Sequence, residues 1–143
     1  MTLRLLSVQV VKFWDIIKYA IAQVEKIGDE VALEVYNKLF SALLADKCQC
    51  FIVFNPDETV KAVCITEIRE DNFTLNRSLH IRCLYSFKPA TNEEWAEEFN
   101  NIRSLAKSEN CNWITFETSN PRIKSIAKDV GAIEVSTNLK VEV

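Results

Sequence analysis

Glycine is nearly missing from this chain: Gly28 and Gly131 are the only two in 143 residues. Both fall where helices are expected to end, which leaves none for a loop that cradles phosphate with its backbone amides. Histidine is scarcer still, with His80 alone. The five cysteines, Cys48, Cys50, Cys64, Cys83 and Cys111, lack regular spacing and are odd in number, against a disulfide framework. Cys48 and Cys50 form a C-x-C pair with no second pair downstream, so no metal site is expected. Excess basic charge is absent: 17 Lys and Arg face 20 Asp and Glu, for a net charge of −3. A dedicated nucleic-acid binder would usually be basic, so nucleic acid is not an expected partner. Apolar runs of about 18 residues are missing, so no membrane span or membrane partner is expected. The N-terminus lacks the apolar core and cleavage site of a secretory signal, and a reducing cytoplasm is the expected location.

What is present suits one globular domain over residues 1–143, at 48% hydrophobic and 26% charged. Thr2–Ser7 reads as a first strand. Val10, Phe13, Trp14, Ile17, Ile21 and Val24 recur at helical spacing, predicting a helix that stops near Gly28. A second helix is expected from Asp29, as N-cap, to Ala45, with Val31, Val35, Leu39 and Ala42 or Leu43 as its buried stripe. Cys50–Asn55 and Val60–Glu70 read as a hairpin about Pro56–Thr59, followed by a third long strand over Ser78–Phe87. Thr91 and Glu94 fit a capping box that opens a helix running to about Glu109. Asn112–Thr118 is a strand, and Pro121–Val130 a short helix closed by Gly131. Ala132–Val143 is expected to finish as one or two strands, as a hairpin about Thr137-Asn138 if two. The aromatics Phe13, Trp14, Trp95, Phe99 and Trp113 follow core spacing.

The order β-α-α-β-β-β-α-β-α-β(β) defines an α+β class with a central mixed sheet. It resembles the GNAT fold of the acyl-CoA N-acyltransferases along nearly the whole chain. The most specific match is Asn120–Ala132, NPRIKSIAKDVGA, similar to the family segment N-x-x-A-x-x-x-Y-x-x-x-G-F. Asn120 and Gly131 keep their places; Ala127 stands where the family Tyr, general acid to the departing thiolate, would stand. The family's Q/R-x-x-G-x-G/A loop, which holds the CoA pyrophosphate, corresponds to Phe87–Trp95, FKPATNEEW. That stretch has no glycine, and Glu93, Glu94, Glu97 and Glu98 crowd the following helix against Lys88. The chain is similar to compact, degenerate members found in bacteria and phages.

The resemblance implies acetyl-CoA or CoA as cofactor, held weakly or not at all. It implies that backbone groups of Cys83, Leu84 and Tyr85, with Asn120, line the cofactor slot. Glu67 and His80 are the candidate bases for an acceptor amine. By strand alternation His80, Arg82 and Leu84 share one face, and Ile81, Cys83 and Tyr85 the other. The alternative function is a non-catalytic binding or assembly module for a protein partner, and the C-terminal strand could pair with a second copy to form a homodimer. The four glutamates of the third helix read as solvated surface.

Overall fold

A computed structural model describes residues 1–143. The elements are β1 (Thr2–Arg4), α1 (Ser7–Val24), α2 (Ala32–Leu44), β2 (Cys48–Phe54), β3 (Val60–Glu70), β4 (Arg77–Ser86), α3 (Asn92–Ser108), β5 (Trp113–Phe116) and α4 (Pro121–Asp129). One five-stranded sheet runs β1-β2-β3-β4-β5. Its first four strands are antiparallel in sequence, and β5 joins β4 in parallel after the α3 crossover. The class is α+β with a mixed sheet, as the element order implied.

Alternation along the central strands builds a core on each face. Cys50 and Ile52 of β2, Val63 and Ile65 of β3 and Cys83 of β4 meet Val10, Ile17, Ala20 and Ile21 of α1 and Leu43 of α2. Phe51, Cys64, Leu79 and Ile81 point to the other face, against Ile102 and Ala106 of α3. Burial stabilises each large aliphatic side chain by about 1.5–3 kcal/mol.

Several boundaries moved. α2 starts at Ala32, with Val31 as an N-cap that offers no side-chain oxygen. Asp29 therefore does not cap it: Gly28–Val31 forms a separate turn, closed by the Val31 amide on the Gly28 carbonyl. The buried stripe shifts accordingly to Tyr36, Leu39, Phe40 and Leu43, leaving Val31 48% exposed. Trp113 is not core; it sits 61% exposed on edge strand β5. The expected strands over Ala132–Val143 are unpaired: the last backbone hydrogen bond runs from the Ala132 amide to the Ala127 carbonyl. No helix is long and apolar enough to cross a membrane.

With so few glycines, left-handed backbone falls to other residues. Asp46, Glu58, Leu75 and Asn110 all have φ between 56° and 67°, each in a tight reversal. Gly131, at φ 94°, closes α4 as expected.

Candidate functional site

The site lies where β4 leaves β5. The two strands pair only from Ser78↔Trp113 to Ile81↔Phe116. On the β3 side, Ile65 opposes Cys83 and Thr66 opposes Ile81, so Arg82 is an extra residue in a β-bulge. Bulges bend a strand and end pairing. Past Arg82, the edge of β4 toward β5 has no partner strand over Cys83, Leu84 and Tyr85.

The bulge also overturns the simple alternation. Leu79, Ile81 and Leu84 share the α3 face, while Cys83 and Tyr85 share the α1 face. His80, between Leu79 and Ile81, points to the α1 side, the face of Cys83 and not of Leu84. Alternation counted across an inserted residue is wrong by one. Leu84 lines a cavity of about 260 Å³ beneath α3, with Cys64, Phe51 and Glu98.

Glu67 and His80 are cross-strand partners on β3 and β4. The Arg69 guanidinium bonds only Oε1 of Glu67, at 2.5 and 2.6 Å, which leaves Oε2 free of that pair. His80 is buried, and its Nδ1 lies 2.8 Å from the Thr115 hydroxyl on β5. No buried side-chain nitrogen or oxygen lacks a partner, so Nε2, which has none, reaches solvent. Burial holds the His80 pKa below its ordinary value; Arg69 and Arg82 act the same way, and Glu67 and Glu117 oppose. The ring is therefore neutral at pH 7, and in the tautomer whose Nδ1–H donates to Thr115 the other nitrogen, Nε2, can accept a proton. Arg82 pairs with Glu25 at 3.7 Å, tying the bulge to the end of α1. Burial pushes the thiols of Cys50 and Cys83 up to about 12 and raises Cys64 as well, so these sulfurs are inert as nucleophiles.

The cavity that Leu84 lines ends at the start of α3, by Ala90, Glu94 and Trp95, and that helix start is closed on itself. The Thr91 hydroxyl accepts from the Glu94 amide at 3.2 Å, and the Glu94 carboxylate accepts from the Thr91 amide at 2.8 Å. Glu94 is ion-paired with Lys61, which pulls its pKa down, so the carboxylate stays charged at the helix N-terminus. Arg122, at the start of α4, donates to the Ala90 carbonyl at 2.7 Å. The two cations that reach the loop from other elements, Lys61 and Arg122, are thus engaged, while Lys88 lies within the loop itself. The sequence reading missed Lys61 and Arg122, because neither lies within the loop; their only signal is proximity in the fold. Glu98 is also not simply solvated surface, since it accepts from the Thr2 hydroxyl at 2.7 and 2.9 Å.

Asn120 lies away from Glu67 and His80 in role: it is the N-cap of α4, its Oδ1 accepting from the Arg122 amide at 2.9 Å. Ala127 is the one buried residue of α4 and has no proton to give.

No protein-family model matches the sequence, and no curated protein matches it. Solved structures do. A "predicted acetyltransferase" with acetyl-CoA from Clostridium acetobutylicum superposes with TM-score 0.74 at 13% identity, covering 99% of this chain and 95% of the other. Glucosamine-6-phosphate N-acetyltransferase from Arabidopsis thaliana gives TM-score 0.70 at 12% identity, covering 99% and 97%. Ribosomal-protein-alanine N-acetyltransferase from Brucella melitensis gives TM-score 0.68 at 11% identity, covering 100% and 99%. This chain therefore has the GNAT fold. Identities of 11–13% carry the fold and nothing of the chemistry.

Proposed function

We propose that this GNAT-fold chain is an acyl-CoA N-acyltransferase-related protein that holds CoA weakly and transfers acyl groups slowly or not at all. The observation that carries this reading is the self-capped start of α3. A pyrophosphate needs free amides and open approach there. Here the Thr91 and Glu94 amides are taken by side chains, and a carboxylate occupies the favourable end of the dipole. Pro89 contributes no amide, and Lys61 already neutralises Glu94.

The thioester end is different. The unpaired edge of β4 at Cys83–Tyr85 offers backbone groups that suit the amides of a pantetheine arm. Glu67 and His80 sit together on the α1 face, with Oε2 and Nε2 open to an acceptor amine. The residues present fit the arm and not the complete cofactor.

A second reading, a non-catalytic module that binds a protein partner, is favoured by Ala127 at the place of the general acid. Thiol release from acetyl-CoA in the presence of a panel of amines tests whether the chain transfers acyl groups at an appreciable rate. The expected result is release no faster with the chain than with its Glu67→Gln or His80→Ala variants. Transfer well above background that drops tenfold or more in either variant would contradict the proposal.

A further inference from the structure

Glu67, His80 and Thr115 stand opposite one another on β3, β4 and β5, so a carboxylate, an imidazole and a hydroxyl form one row across the sheet. The row is on the α1 face, because Ile114 and Phe116 on either side of Thr115 pack toward α3. β5 is the last strand of the sheet. Thr115 is half-buried there, and Trp113, two residues earlier on the same face, is 61% exposed. A small ligand therefore has access to the hydroxyl and an indole to rest on.

The close contact in the row joins Thr115 Oγ1 and His80 Nδ1, at 2.8 Å. A hydroxyl both donates and accepts, so this bond has two forms. With the ring proton on Nδ1, Thr115 accepts and Nε2 is the base. With the ring proton on Nε2, which can donate to water, Nδ1 accepts the proton of Thr115. The second form is the geometry of an activated nucleophile, a hydroxyl within hydrogen-bond reach of a neutral imidazole. Burial, which lowers the His80 pKa, keeps that imidazole unprotonated at pH 7. The two forms exclude each other, so His80 serves Thr115 or an acceptor amine and not both at once. Cys48, which continues the row beyond Glu67, is no rival nucleophile, since burial raises its pKa.

We propose that Thr115 is a nucleophile that takes the acyl group of small activated esters and thioesters, with His80 Nδ1 as its base. Oγ1 attacks the acyl carbon while its proton passes to Nδ1. The bond from that carbon to the leaving oxygen or sulfur breaks with its electron pair, and the leaving group takes the proton from Nδ1. An acyl ester of Thr115 remains. Water, giving a proton to Nδ1, then attacks this ester; the proton returns to Oγ1 and a carboxylic acid leaves. None of these steps needs a phosphate cradle, so the proposal goes beyond the acyl-CoA reading and does not depend on it.

The probe is p-nitrophenyl acetate, which carries no nucleotide. Release of p-nitrophenol is followed by absorbance, and the acetylated residue is mapped by mass spectrometry after an acid quench. General-base assistance is worth about 10²–10⁴-fold, so the chain is expected to release the phenol at least about tenfold faster than free imidazole at the same concentration. The acetyl group is expected on Thr115. Thr115→Val and His80→Gln are each expected to lose most of the release, and Thr115→Ser, which keeps a hydroxyl on Cβ, to retain it. Circular dichroism melts establish that each variant is folded. Acetyl found only on lysine, cysteine or His80, or release that survives Thr115→Val in a folded chain, would overturn the proposal.

Discussion

Leu75 has φ 59° and is 72% exposed, a left-handed position given to a residue that gains nothing from packing there. A Cβ is strained in that region, and Asn tolerates it better. Leu75→Asn is expected to stabilise the chain by about 0.5–1 kcal/mol, read from the denaturation midpoint; an unchanged or lower midpoint would show that the turn is not strained. His80 makes a second prediction at this scale. Its folded pKa is lowered, so the unfolded chain takes up this proton first as pH falls. Its contribution is thus complete above the unfolded value of about 6.5 and is lost on acidification below it. Relative to the natural chain, His80→Gln should gain stability as pH drops from about 7 to 5. Parallel stability curves over that range would contradict the burial argument.

At the scale of the element, α3 carries the account. Its first turn pairs Thr91 with Glu94 reciprocally, and Glu94 with Lys61. Thr91→Ala removes a cap and is expected to cost about 1 kcal/mol in urea unfolding; a change under a few tenths would mean the cap is not formed. This capping box was legible because its two residues are three apart in sequence and report on each other. The α4 boundaries, Pro121 at the start and Gly131 at the end, were legible for the same local reason. The β2–β3 hairpin followed from aromatic and β-branched runs on either side of Pro56–Thr59. The bulge at Arg82 was not legible. It depends on how β3 and β4 register across the sheet, and nothing in SLHIRCLYSF marks one residue as extra. Because of it, the Glu67–His80 pair could be named residue by residue while the face shared by His80 and Cys83 was assigned wrongly. The start of α2 was missed because Asp29 is an ordinary cap residue placed one turn early, in a turn that Gly28 closes.

Over the whole molecule, the two ends of the proposed site disagree. In the proposed function the unpaired β4 edge takes the amide-bearing arm, and His80 and Oε2 of Glu67 serve the acceptor side. The start of α3, which would hold the phosphates, already holds its own side chains. A working cradle of free amides at a helix N-terminus would add phosphate contacts that CoA can make and pantetheine cannot. Here the start of α3 carries Glu93, Glu94 and Glu97, which would repel a phosphate. Calorimetric titration of the chain with CoA and, separately, with pantetheine measures this difference directly. The account predicts that both bind weakly, with dissociation constants on the order of millimolar, about −4 kcal/mol, and that CoA gains no more than about threefold over pantetheine. One-to-one binding of CoA at micromolar strength, with pantetheine far weaker, would contradict it.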